Sequence, residues 1–347
     1  MFQRLAAPAV LAGLCLTGWS ATAQPASVDD VRPYLRSLKN TNGVIALEVA
    51  LRRLAPVRGR GGADLWLVAV THIGTSNYYT ALQDFLDEQT VVLFEAIRSG
   101  DGPPVRHEGY SLQVDLARAL GLTFQLDAIN YERPHFRNSD LSLEQLARVF
   151  GGTTNEPAQP APGSRPQAGA VEFDALVQAM SGEGLLGGLA RLGVSLLAAS
   201  PRLQAATKVA LIEVLGQLPN DLTQIAGLPP GLQRLLRVLV EERNEAVVRD
   251  TRAALARRPA PASVAVFYGA GHMADLEHRL CRALGYQPVE DRWLTAFGVD
   301  HRSLGISEFE LEMTARLVRS QLRGLQRAPA ENAPPAGPAS EPGPPGD

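Results

Sequence analysis

The chain has 347 residues, 45% of them hydrophobic and 20% charged, which is the make-up of an ordinary globular protein with room for one large domain or two modest ones. A net charge of −3 gives no electrostatic case for nucleic acid as a partner. Only two of the 33 basic residues are lysines, Lys39 and Lys208, so arginine bias runs through the whole chain and single surface arginines carry little weight.

Residues 1–23 read as a secretory signal. Arg4 supplies the positive start, Leu5 to Trp19 is uncharged and apolar, and Ala21-Thr22-Ala23 fits a small-x-small cleavage site. The apolar stretch is short for a bilayer, and Leu14 before Cys15 lacks the small residue of a lipoprotein site. Cleavage would leave Cys281 as the one cysteine, which excludes an intrachain disulfide and fits a buried, small apolar role in a helix over 273–284. The expectation is an exported protein, periplasmic or secreted.

In chain order, Ser27 or Asp29 is expected to cap a short helix reaching about Leu38. Strands follow over 44–54 and 65–71, joined by the turn RGRGGAD. A helix over 77–86 places Tyr78, Leu82 and Phe85 on one face, and the strand VVLFEA ends on Glu95. Next come a helix over 112–120, a strand over 123–129, the loop NYERPHFRNSD, and a helix capped by Asp140 or Ser142. Pro, Gly and polar residues make 151–169 a flexible loop. From 171 to 258 the pattern is helical, broken by Pro201, Pro219 and Pro229-Pro230-Gly231. Strand, turn, helix and strand return over 263–298, and the Pro/Ala/Gly-rich tail 328–347 is expected to be disordered. The fold class is therefore α/β: a mixed or split sheet built from two related strand–His–helix lobes, with a largely helical insertion at about 141–258, all in one domain over 24–327.

The two lobes carry the functional signal. LWLVAVTHIG at 65–74 and VAVFYGAGHMA at 264–274 are buried-type strands that stop at a small-residue turn bearing His72 or His272. Open α/β sheets bind ligands at the carboxyl ends of their strands, and imidazole is a common ligand for first-row metals. His107, His135, His278 and His301 lie in loops or on a solvent-facing helix side and are read as ordinary. Glu95 sits at the sheet rim, where desolvation is expected to raise its pKa toward that of a general base. Arg243 shares a helical face with Leu235, Leu239, Ala246 and Val247, so its guanidinium must find an anion. That anion is Glu95, a substrate carboxylate or a developing oxyanion in the functional reading, and a purely structural partner otherwise; Asp250 lies on the same face, seven residues on. Gly269-Ala-Gly-His-Met-Ala274 matches a relaxed dinucleotide fingerprint, but too little chain follows for a doubly wound half. HExxH, GxSxG, P-loop and paired CxxC motifs are absent from the sequence.

With these motifs the chain resembles the TraB/TIKI family, which includes the PrgY and GumN-type bacterial proteins. The C-terminal G-x-x-H motif is Gly269-Ala270-Gly271-His272, and the N-terminal one is Ala69-Val70-Thr71-His72, with alanine where the family has glycine. The family glutamate corresponds to Glu95 and its Arg-Asn to Arg243-Asn244, while Tyr78-Tyr79 and Asp140 sit where similar bacterial sequences carry a Tyr pair and an Asp. The resemblance, covering roughly 44–300, implies a metal-dependent hydrolase acting on peptides. His72, His272 and Glu95 would hold Mn²⁺ or Co²⁺, with Zn²⁺ a further candidate. Glu95 is either the third ligand or the base, Arg243 stabilises an oxyanion or orients Glu95, and Tyr79, Asp140 and Asn244 contact substrate. The alternative expectation is a protein that binds or sequesters a peptide or small ligand in the same cleft without cutting it.

Overall fold

The fold is that of a computed structural model, which describes residues 27–57, 62–97, 111–151, 194, 197–220, 222 and 230–327. The expected signal, nearly all of the 151–169 loop and the 328–347 tail lie outside the described residues. The class is α/β with a mixed sheet, as the sequence pattern implies.

Three parallel strands form the centre: β3 (Asp64–Val70), β8 (Ser263–Gly269) and β5 (Val91–Phe94), with β8 between the other two. Their apolar runs are buried along nearly their whole length because both faces of the sheet are covered. β7 (Phe136–Asn138) extends the sheet beyond β5, also in parallel. On the other side the long β2 (Val44–Pro56) pairs antiparallel with β3 and, along its full length, with β9 (Tyr286–Asp300). The C-terminal lobe thus closes the sheet onto the N-terminal one. β1 (Leu35–Lys39) takes the first half of β2, antiparallel.

Helix α1 (Ser76–Asp87) is capped by the Thr75 hydroxyl and buries Tyr78, Tyr79, Leu82 and Leu86. A two-residue strand β4 (Ile73–Gly74) pairs with β6 (Thr123–Phe124), which follows α2 (Ser111–Ala119) and leads into the short α3 (Gln125–Ala128). Helix α4 (Leu143–Gly151) is capped by Ser142 in a reciprocal exchange with Gln145, which leaves Asp140 for another role. The remaining described elements of the insertion are helical: α5 (Pro201–Leu215), α6 (Pro230–Arg237), a π-helical turn over Val238–Glu242, and α7 (Arg243–Leu255). After β8, a single 3₁₀ turn (Ala270–His272) opens α8 (Met273–Leu284), which ends at Gly285 in the left-handed conformation. Helix α9 (Glu308–Arg327) completes the described chain. No described helix is long and apolar enough to cross a membrane.

Several local expectations need correction. The short helix after Ser27 is a turn followed by strand β1, because pairing with β2 gives those residues a sheet edge. The strand expected over 123–129 stops at Phe124, where the backbone turns so that the Gln125 amide donates to the His72 carbonyl. Pro201 and Pro230 begin helices instead of breaking them, since the first helical turn needs no N–H from them. His301 is buried, with Nδ1 facing the Ile306 carbonyl.

One buried charge cluster ties the two lobes together behind the sheet. Arg52 of β2 is fully buried, with bonds to Glu277 of α8 at 2.7 Å and to Asp291 of β9 at 2.6 Å. It also donates to the carbonyls of Arg32 and Pro33 and lies over the Tyr34 ring. Burial, then the nearby Glu277 charge, pushes the Tyr34 hydroxyl well above its usual pKa, so it stays a donor to Glu277. Removing one partner of such a set strands the others without solvent. Arg52→Ala is expected to cost about 3–5 kcal/mol in urea unfolding, whereas Arg52→Met with Glu277→Met recovers a large part of it; a loss from Arg52→Ala below about 1 kcal/mol would contradict this role.

Candidate functional site

The carboxyl ends of β3, β8 and β5 lie side by side, because Val70 pairs with Gly269 and Phe94 with Phe267. His72 follows β3, His272 follows β8 and Glu95 follows β5, so residues from three remote segments reach one edge of the sheet. The Glu95 amide donates to the Phe267 carbonyl, which extends the ladder one step and fixes where its side chain starts. Its Oε2 accepts the Gly269 amide at 2.7 Å. A side chain at Gly269 would bring its Cβ to 3.2 Å from that oxygen, so glycine is what lets the carboxylate close on the backbone.

Arg243, at the first turn of α7, fills the middle of this edge and is itself buried. Nε and Nη2 grip both oxygens of Asp140, at 2.8 and 2.6 Å. Nη2 also donates to Glu95 Oε1 at 2.7 Å, and Nη1 faces His272 Nε2 at 3.3 Å. Asp140 reaches Arg243 because its loop is fastened over the end of β5. The Ser139 amide donates to the Phe94 carbonyl, the Asn138 amide group to the Ala96 carbonyl, and the Tyr268 hydroxyl to the Ser139 carbonyl. Asp250, the other acid on the Arg243 face, accepts from Ser139 and Arg249 instead.

The electrostatics follow from this crowding. Burial alone would raise the pKa of Glu95, but Arg243, then His272, His72 and the Gly269 amide, hold it well below the usual carboxylate range. The expectation of a raised, base-like Glu95 is therefore corrected: it is an anchored anion with little affinity for a proton. For His272, burial is the largest influence and Arg243 adds to it, outweighing the Glu95 charge and bringing the imidazole down to about 4. It is neutral at pH 7, with its lone pair to offer.

Which nitrogen offers it is fixed by a side-chain amide. Asn244 spends its Nδ2 on the His272 carbonyl and on Asp275, at 3.2 and 2.8 Å, which turns its Oδ1 to His272 Nδ1 at 2.8 Å. Nδ1 must then carry the proton, and the lone pair on Nε2 faces Arg243 and Glu95. His72 repeats the device. Gln125 Nε2 donates to the Tyr131 hydroxyl, so Oε1 accepts from His72 Nδ1 at 3.1 Å. His72 is exposed where His272 is buried, which places the open side of the site at His72.

The three expected substrate contacts take other parts. Asn244 is fully buried and orients His272; the Asp140 carboxylate is fully buried against Arg243; Tyr79 is buried and donates to the Thr71 carbonyl beside His72. They hold the site from behind. Ala69 is buried in β3 opposite Tyr268, so its methyl joins the core. The dinucleotide reading of the 269–274 turn has no support, because the Gly269 amide that would face a pyrophosphate is used by Glu95. Gln125 was missed, as it lies in a stretch that reads as strand; a polar residue amid TFQLDAI was the one signal available.

Two imidazole nitrogens and a carboxylate are a donor set suited to a first-row divalent ion. Two carboxylates sharing one guanidinium beside a neutral His272 also leave a negative balance that a cation would offset. The donors therefore fit in type, although among the described residues no three His, Cys, Asp or Glu side chains stand close enough to hold an ion as they are; Arg243 engages two of the three. Comparison with family models, curated proteins and solved structures gives no match for the chain.

The tautomer assignment is testable in the metal-free protein. Nitrogen-15 NMR is expected to show His272 protonated on Nδ1 at pH 7, and Asn244→Leu to lose that pattern and about 1–3 kcal/mol of stability. A wild-type ring protonated on Nε2 would contradict the network.

Proposed function

We propose that this chain is an exported, metal-dependent hydrolase acting on peptides, in which His72, His272 and Glu95 hold one divalent cation. The observation that carries the reading is the paired histidine device: on neighbouring strand ends beside an ionised carboxylate, each imidazole turns Nδ1 into a side-chain amide. Metal-binding histidines are tied through their second nitrogen in this way. The bound ion would supply Lewis acidity and lower the pKa of water. Mn²⁺, Co²⁺ and Zn²⁺ all suit the donors, and the resemblance to the TraB/TIKI family favours the first two.

The chain's own residues divide the remaining work. Glu95 serves as an anionic ligand rather than a base, because Arg243 and the Gly269 amide keep it ionised. Arg243 holds that carboxylate and Asp140 through Nε and Nη2, while a cation on His272 Nε2 would take the lone pair that Nη1 now faces. Nη1, released from that nitrogen, would then be the donor for a carbonyl oxygen gaining negative charge. Gln125 and Asn244 keep both Nε2 lone pairs directed outward from their amides.

A binding protein that holds a peptide without cutting it is the second reading, favoured by Arg243 already engaging Glu95 and His272. Incubating the full chain with a mixed peptide library, with and without added Mn²⁺, separates the two. New fragments are expected with metal and not with EDTA, and none from His272→Ala. Metal analysis should give about one ion per chain, with Gln125→Leu weakening affinity about 10–100-fold. Peptide retained intact whether or not EDTA is present would establish the binder; cleavage surviving exhaustive chelation would remove the metal from the account.

A further inference from the structure

Helix α9 (Glu308–Arg327) has apolar side chains on two opposite faces. Leu311 and Ala315 are buried, and this face lies along α5. Phe309, Met313 and Leu317, spaced i, i+4 and i+8, stand in solvent with 74%, 48% and 62% of their surface exposed. A row of three large apolar side chains in water is a mark of an interaction surface, where single exposed ones are not.

The charges beside that row have an order. Glu308, Glu312, Arg316 and Arg319 follow one another along one flank of the helix, the acids before the bases. The helix dipole accounts for acid near the start and base near the end. It gives no reason for an exposed apolar row between them.

We propose that α9 is a homodimer surface, with two copies of the helix pairing antiparallel about a twofold axis at Met313. That symmetry sets Phe309 of one protomer against Leu317 of its partner, with Met313 against itself. On the same flank it sets Glu308 against Arg319 and Glu312 against Arg316, each twice, as an isologous interface requires. A parallel twofold pair would set this flank against the opposite one, and the order of its charges would go unused. Within one chain Glu312 already pairs with Arg316 at 3.0 Å and with Arg319 at 3.1 Å, but Arg316 and Glu312 are more than half exposed and Arg319 about a third. Such surface pairs are worth little and can exchange for pairs across the axis. Arg319 lies also within 3.6 Å of Glu213 on α5, which holds its place on that flank. A single helix pair is a small interface, so a dissociation constant on the order of 10 μM is expected.

Sedimentation velocity on the full chain from about 1 to 200 μM tests this, since that span brackets the expected constant. A concentration-dependent monomer–dimer equilibrium is expected. Leu317→Glu should raise the dissociation constant at least about tenfold with an unchanged melting temperature. Glu312→Arg and Arg316→Glu should each weaken the dimer several-fold, while an equimolar mixture of the two, or the double variant, restores it to within about threefold. The mixture arm is decisive even where Leu317→Glu disturbs folding. A monomer at every concentration, a dimer indifferent to Leu317→Glu, or single charge variants that fail to rescue one another would overturn the proposal.

Discussion

A buried guanidinium shared between two carboxylates and an imidazole is the constraint around which this molecule is organised. Arg243 is out of solvent, and a buried cation without anions costs several kcal/mol. It is satisfied only if the end of β5 delivers Glu95, the loop after β7 delivers Asp140 and the turn after β8 presents His272. A π-helical turn immediately precedes Arg243 and Asn244, the two residues through which the helical insertion enters the site. Such widened turns are frequent at functional sites because they re-aim the side chains that follow.

The same constraint explains the division of labour among charges. Glu95 is held ionised on one side by Arg243 and on the other by a backbone amide that a glycine leaves uncovered. His272 is held neutral by burial beside that cation. The two lobes then differ in one informative respect. Asn244 is itself buried and tied on to Asp275 and Arg279, whereas the Gln125 side runs to Tyr131 and leaves His72 exposed. The His272 half of the site is buried and the His72 half is open.

Much of this was legible in the residues. Uninterrupted apolar runs gave the three central strands, and the histidine or glutamate ending each run gave the sheet edge, because parallel strands in register align their carboxyl ends. Arg243 on an apolar face announced a buried anion. Of its two anions, Glu95 follows from the strand ends, but local patterning could not announce the other: Asp140 stands far away in the chain beside a helix it does not cap, and Asp250 was nearer. Gln125 was hidden for a related reason. Its backbone is turned by a bond to the His72 carbonyl, a tertiary contact that overrides the strand-like run around it. The sign of the Glu95 shift is not legible locally, because desolvation can be read from an apolar run, but the opposing charges come from elements remote in sequence.

The central claim is that two distant imidazoles converge on one cation at this sheet edge. Anomalous diffraction from crystals soaked in Mn²⁺ tests it most directly. The account predicts a single strong peak between the Nε2 atoms of His72 and His272, in contact with Glu95. A peak elsewhere, or crystals without one in which Arg243 keeps its contacts to Glu95 and His272, would contradict it.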